Sequence, residues 1–411
     1  MSMRMSVLNL GRHSPSRLIN LARLQEDCGY ETFWYADERF FREVYTGLTV
    51  AALHTQRIQV GTLVTDPYTR HPALTAMALA SLDEVAAGRA ILGLGAGVSG
   101  FAELQIARRR PAQAMRETVA IVRGLLRGET VPVQGEVITG GPTRLDFQPV
   151  RSQVPVYIAS NGPMGLVLAG EIADGVVMQG PVAPALVEWF LAQVRRGAQR
   201  AGRNLHEIDV VARLNVCIHP DARVAKDLMR PTIVRSLVAQ QPHFRTFVTA
   251  GLELPPALRD QIAALGYTHD AAHLALAAEL VLDPFVDAVT LAGTVEEVTA
   301  RVTQLQRLGV TKVKPGDPVV LSLNSCGQCD NCQSGHPAYC EDVAFLSFGC
   351  ARPSDGSSPL SQDGAVNAHP RGHQMPLGVL SVIDQSRGAG AATAIPSSPQ
   401  EDVTSPSPVS G

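Results

Sequence analysis

From residue 3 to residue 313 the chain alternates short apolar or β-branched runs with longer segments of helical period. No other feature narrows the possible folds as much. Runs at 3–10, 32–36, 57–64, 89–95, 154–160, 174–179, 207–219 and 309–313 read as strands, and together they supply the eight that a (β/α)8 TIM barrel needs. Segments 15–29, 72–86, 110–127, 162–172 and 183–202 carry the amphipathic pattern of helices; the first opens on Pro15 and closes on Gly29. Nearly continuous apolar strands, each followed by a helix, predict an α/β fold with a parallel sheet covered on both faces. Two stretches break the rhythm. Residues 131–147 alternate around Gly140–Gly141 and read as a hairpin, and a mostly helical insertion runs from about 221 to 285. Such insertions extend the loops that shape a barrel's site.

The 411 residues exceed one barrel of about 250, and the surplus lies after residue 313. At Lys314 the helical period stops and a β-then-cysteine segment begins. Residues 365–411 contain no aromatic side chain, and 18 of those 47 are Pro, Gly or Ser. Such a composition buries too little apolar surface to offset its ordering entropy. The expected domains are therefore a barrel over 1–313, a small lobe over 314–364 and a disordered tail over 365–411. A net charge of −3 provides no field that would hold nucleic acid or an anionic membrane. The partner expected is a small molecule. No apolar run reaches the roughly 20 residues of a membrane span, and the start of the chain, MSMRMSVLNLGRHS, has no apolar leader core. A cytoplasmic location is the expectation.

Gly95-Ala96-Gly97-Val98-Ser99-Gly100 follows the fourth strand. The spacing satisfies the dinucleotide-binding pattern G-x-G-x-x-G, but that motif belongs after a first strand, with a helix opening at once and an acidic residue about 20 positions on. Here FAELQIARRRP follows and Glu117 falls inside a helical segment. Two readings stay open: a tight turn that merely needs glycine, or a phosphate cradle of bare amides with the Ser99 hydroxyl at a strand's C-terminal end.

Three segments, TDPYTRHPALTAMALASLDEVAAGRAILGLGAGVSG, RPAQAMRETVAIVRGLLRGE and PVYIASNGPMGLVLAGEIADGVV, resemble in order the luciferase-like family, nearest to its coenzyme F420-dependent methylenetetrahydromethanopterin reductase branch. The resemblance covers residues 1–313. It implies a TIM barrel that binds F420, or FMN as the alternative, at the C-terminal ends of its strands. It also implies a non-prolyl cis peptide at Leu63–Val64 in a bulge (Leu63, Val64, Thr65, Asp66) that backs the cofactor ring. The loops Gly95, Ala96, Gly97, Ser99 and Ser160, Asn161, Gly162, Pro163 would hold the phosphate-bearing chain. Relatives of this kind commonly form homodimers.

The chemistry implied is hydride transfer to or from a small molecule, or reduced-flavin attack on oxygen, for which the protein supplies stacking, orientation and one acid. Asp37 and Glu38, just after the second strand, are the catalytic candidates. Relatives often carry Asp-His there, so Glu38 departs from the pattern and leaves open whether the pair is catalytic or a solvated turn. Trp34 reads as core or as a ring contact, and His71 before Pro72 as a cap or a cofactor contact. Arg39, Arg42 and Arg70 offer a clamp for an anionic ligand.

Cys326-x2-Cys329-x2-Cys332-x7-Cys340 places four thiolates at a spacing that closes a tetrahedral Zn2+ site. KPGDPVVLSLNSCGQCDNCQSGHPAYC resembles the structural-zinc lobe of medium-chain zinc alcohol dehydrogenases over about 313–364. The catalytic-zinc motif and a nucleotide-binding domain are missing, and four thiolates leave no open coordination position. The two resemblances meet at Val313–Lys314 and imply a fusion. A fusion at that point is expected to impair barrel closure, and a catalytically impaired protein that retains only zinc or ligand binding is the reading from a different class.

Overall fold

The computed structural model describes residues 4–305 and 318–322. Its strands are β1 (Arg4–Asn9), β2 (Thr32–Tyr35), β3 (Gln59–Thr62), β4 (Ala90–Gly95), β5 (Val156–Ala159), β6 (Gly175–Gln179), β7 (Asp209–Ile218), β8 (Thr290–Gly293) and β9 (Pro318–Ser322). Between them run α1 (Pro15–Asp27), α2 (Val44–Leu53), α3 (Pro72–Val85), α4 (Pro111–Leu126), α5 (Pro163–Ile172) and α6 (Pro184–Arg200). Five of these six helices begin on proline, whose fixed φ suits the first turn and whose missing N–H costs nothing there. The long insertion after β7 holds α7 (Ala222–Ala239), α8 (Arg245–Thr249), α9 (Pro256–Ala264), α10 (Ala271–Glu279) and α11 (Asp283–Val289), and α12 (Val295–Leu305) follows β8. None of the described helices is long and apolar enough to cross a membrane.

All strand pairings are parallel, and the ring closes. β1 pairs with β2 on one edge and with β9 on the other, from Arg4 opposite Pro318 to Leu8 opposite Ser322. β9 in turn pairs with β7, from Ala212 opposite Val319 to Asn215 opposite Ser322. β8 sits outside the ring on the far half of β7, with Asn215 opposite Thr290 and Ile218 opposite Gly293. The eighth strand expected at 309–313 lies outside the described residues. Residues 318–322, beyond the inferred fusion point, supply a strand that joins β1 to β7, so the expected impairment of closure is not seen in the described residues. The hairpin expected at 131–147 takes the form of isolated antiparallel bridges, Val131 to Thr143 and Gln134 to Thr139.

Side chains that alternate along the strands divide the core in two. One cluster, which includes Phe33, Tyr35, Val60 and Leu92, packs the strands against the helices. The other, inside the ring, joins Leu8, Trp34, Ala36, Leu63, Ile91, Tyr157, Val177 and Val211. Trp34 is 1% exposed and meets Tyr157 edge to face at 5.6 Å. The indole therefore fills the barrel. Gly61 makes room for it, since a Cβ there would lie 2.6 Å from the Trp34 ring.

Candidate active site at the barrel mouth

A cavity of about 280 Å3 opens at the C-terminal ends of the strands. Leu8, Leu10, Ala36, Leu63 and Val64 give it an apolar side; Glu38, Arg213, Arg235, Tyr267 and His269 give it a polar one. The Leu63–Val64 peptide bond is cis. Both residues line the cavity, as do Asp37, Asp66, Gly97 and Ser99.

Thr65 lies behind the bulge, where its hydroxyl donates to Asp37 Oδ2 at 2.7 Å. Asp37 Oδ1 accepts from Arg39 Nη1 at 2.5 Å, and the other arm of Arg39 reaches Asp66 and Thr69. Asp66 also caps its own turn, accepting from the amides of Tyr68 at 2.8 Å and Thr69 at 2.9 Å. Burial pushes the Asp37 carboxyl above its ordinary range; Arg39 and Thr65 oppose that, and the nearby Asp66 charge adds to it. Both Asp37 oxygens are thus engaged in tying the end of β2 to the β3 bulge.

Glu38 has a different environment. His269 Nε2 stands 3.0 Å from Glu38 Oε1, and Arg235 Nη1 stands 3.2 Å from His269 Nδ1. Arginine can only donate, so Nδ1 accepts and the imidazole carries its proton on Nε2, facing the carboxylate. Burial would raise the Glu38 pKa, but the close polar contacts of His269 and Ser99 and the charge of Arg235 bring it below the ordinary value. His269 is also lowered, by burial first and then by Arg235, against the pull of Glu38. Phe41 and Tyr267 flank the imidazole, each with ring centroids 5.6 Å away. Burial and the Glu38 charge push the Tyr267 phenol up to about 12, which keeps it a hydroxyl donor.

The glycine loop packs on the bulge. A Cβ on Gly95 would meet Val64 Cγ2 at 2.5 Å, and one on Gly97, whose φ is +65°, would meet Phe101 at 2.7 Å and Asp66 at 2.9 Å. Only glycine brings this backbone so close. Ser99 Oγ accepts from the Arg39 amide at 3.1 Å, fastening the loop to the end of β2, and Arg108 donates to the Gly97 carbonyl at 2.9 Å. Thr65, Gly95 and Ala96 are not among the lining residues. The second loop, Ser160-Asn161-Gly162-Pro163, lies one residue layer back. Asn161 exchanges hydrogen bonds with the backbone of Gln179, which does line the cavity, and Ser160 Oγ accepts from the Gly162 amide at 3.1 Å.

The clamp expected from Arg39, Arg42 and Arg70 is not formed, because protein groups already occupy all three. Arg39 holds Asp37 and Asp66, Arg42 donates to the carbonyls of Gly11 and Arg12, and Arg70 pairs with Glu43 at 2.6 Å. Arg108, Arg213 and Arg235 line the cavity instead. His71 is a cap: its Nδ1 accepts from the Ala73 amide at 3.2 Å at the start of α3. Cys326, Cys329, Cys332 and Cys340 lie outside the described residues, among which no cluster of His, Cys, Asp or Glu is arranged to hold a metal ion.

Comparison with known proteins fits this geometry. A family model described as luciferase-like monooxygenase matches residues 3–312. The 5,10-methylenetetrahydromethanopterin reductase of Methanolobus tindarius is 36% identical over 304 residues, which are 74% of this chain and 90% of that protein. The F420-dependent glucose-6-phosphate dehydrogenase of Nakamurella multipartita is 31% identical over 255 residues, 58% of this chain and 74% of that protein. Among solved structures, the coenzyme F420-dependent tetrahydromethanopterin reductase of Methanopyrus kandleri superposes with a TM-score of 0.67 at 27% identity, covering 82% of this chain and 97% of that one.

Proposed function

We propose that this chain, which belongs to the luciferase-like monooxygenase family, is a coenzyme F420-dependent oxidoreductase that moves a hydride between the deazaflavin and a small molecule. The observation that carries the reading is the two-sided cavity. An apolar side of Leu8, Leu63 and Val64 faces a polar side of Glu38, Tyr267 and His269, which suits a flat heteroaromatic ring with apolar faces and hydrogen-bonding edges. The residues fit the cofactor's tail as well. Gly97, Ser99 and Arg108 line the cavity together, and the Arg108 guanidinium and the Ser99 hydroxyl favour an anion there.

The cofactor, when bound, supplies the hydride donor or acceptor. The chain's own residues do the rest. Leu63 and Val64 support the ring from the bulge, with Thr65 and Asp66 holding that bulge to Asp37 and Arg39. Gly95, Ala96, Gly97 and Ser99 shape the loop for the tail, and Ser160, Asn161, Gly162 and Pro163 set the rim behind it. Glu38 exchanges the proton that accompanies hydride transfer, His269 positions it and keeps it ionised, and Asp37 holds the scaffold beneath it. Loss of deazaflavin binding in Gly97→Ala and Val64→Asp variants that stay folded supports this assignment; unchanged binding contradicts it.

The remaining parts of the reading stand on sequence. Zinc ligation by Cys326, Cys329, Cys332 and Cys340 is tested by metal analysis: one zinc per chain, lost in Cys326→Ser. Homodimerisation is tested by light scattering.

A further inference from the structure

We propose that Arg213 and Arg235 form a subsite for an anionic group, a carboxylate or phosphate, carried by the substrate; this rests on the assignment of the cavity to F420-dependent hydride transfer. The two arginines stand on adjacent elements of the same wall. β7 turns alternate side chains inward: Val211 packs in the barrel interior, and Arg213 and Asn215 line the cavity above it. Arg235 reaches the cavity from α7.

Arg213 Nε is buried and makes no hydrogen bond, and among the described residues no carboxylate forms an ion pair with this guanidinium. A buried cation with no partner is costly unless a ligand completes it. Arg235 spends one nitrogen on His269 Nδ1 and has no described carboxylate partner either. Other partly buried arginines in this chain behave differently: Arg39 sits on Asp37 and Asp66, Arg230 on Asp227 and Asp283, and Arg301 on Asp287. The acidic groups of the cavity cannot neutralise the pair. Asp37 and Asp66 are occupied by Arg39, and the single charge of Glu38, which acts on both arginines, cannot balance two guanidiniums.

Two guanidiniums lining one cavity suit a carboxylate or phosphate, which each can hold in bidentate fashion. They line the same cavity as Glu38, and Arg235 reaches it through His269, so an anion held there would place the rest of a small substrate near the Glu38 carboxylate. The glycine loop that would take the cofactor's own phosphate is built on β4, a separate element.

Calorimetric titration of the F420-loaded full chain with inorganic phosphate and with glutarate tests this. Binding of at least one of them is expected, weakened tenfold or more in Arg213→Gln and in Arg235→Gln and partly retained in Arg213→Lys. The dissociation constants of F420 and of its deazariboflavin core, which carries no phosphate or carboxylate, should change less than twofold. Three results overturn the proposal: neither anion binds the wild type; Arg213→Gln weakens F420 but not the core, which makes the anion the cofactor's tail; or it weakens both, which places Arg213 on the ring. If Arg213→Gln does not fold, Arg235→Gln decides. If F420 does not bind the wild type at all, the cofactor assignment fails, and the same titrations on cofactor-free protein judge the anion subsite separately.

Discussion

His269 Nε2 lies 3.0 Å from Glu38 Oε1, although the two residues are separated by most of the barrel sequence and belong to different parts of the fold. Glu38 lies three residues after β2; His269 lies in the helical insertion that follows β7. Because Arg235 donates to Nδ1, the imidazole is neutral with its proton on Nε2, and Glu38 is the ionised partner.

Nitrogen-detected NMR should accordingly show His269 as the neutral Nε2–H tautomer at pH 7, titrating below the ordinary histidine value of 6.5. In His269→Asn the burial of Glu38 is less opposed, so its carboxyl pKa, read by carbon NMR, should rise. The linkage signs agree. Both pKa values are depressed in the folded state, so both groups favour folding at higher pH and lose that contribution as pH falls, His269 from 6.5 downward and Glu38 from 4.5 downward. His269→Asn should flatten the fall in stability that begins below 6.5. An unchanged Glu38 pKa in the variant would reduce the pair to a packing contact.

Gly97→Ala should weaken deazaflavin binding tenfold or more. The added Cβ is both strained at φ +65° and within 3 Å of Phe101 and Asp66, so the loop must leave the bulge. Fluorescence titration of the folded variant measures this; wild-type affinity would show that the loop does not touch the cofactor.

Asp83 is 1% exposed and holds Arg151 with both oxygens, at 2.5 Å and 2.8 Å, while Oδ1 also accepts from the Ala90 amide at 3.0 Å. Removing one member of such a pair strands the other. Asp83→Ala should lower stability by about 3 kcal/mol, measured by urea unfolding, and Arg151→Met by less, because that side chain is 31% exposed. A loss below 1 kcal/mol would contradict the assignment.

A chain ending at residue 313 lacks β9, and the edges of β1 and β7 that it covers are then unpaired. That chain should aggregate or lose cofactor binding, whereas one ending at residue 325, which keeps β9 and omits the four-cysteine cluster, should bind normally. Equal behaviour of the two would mean that β9 is dispensable for closure.

Much of this architecture is legible in the primary structure, for physical reasons that differ by element. The first seven strands are mostly apolar runs, several of them flanked by proline or glycine, and their helices mostly begin on proline, so period and punctuation agree. The cis bond at Leu63–Val64 is legible only through resemblance, since no local residue preference marks it. β8 escapes notice because TLAG follows α11 directly, with no turn residue between them. The closing strand is obscured by composition: VKPGDPVV opens a segment that resembles another family, and pairing to β1 and β7 is a tertiary fact. Tyr267 and His269 carry no motif, and only the folding of the insertion over the mouth brings them to Glu38. Arg213 does leave a trace, a charge at an inward position of the otherwise apolar run DVVARLNV. Arg39, Arg42 and Arg70 sit on polar loops, but neighbouring carboxylates or carbonyls already hold all three.

Every role proposed for these residues requires the cavity to hold a deazaflavin. Titration of the purified full-length chain with F420 and, separately, with FMN, following cofactor fluorescence, tests it most directly. Micromolar or tighter F420 binding and at least tenfold weaker FMN binding are expected. Tight FMN binding with little affinity for F420 would contradict it and favour a flavin-dependent monooxygenase, and a folded protein that binds neither would contradict it in favour of a barrel that has lost its cofactor.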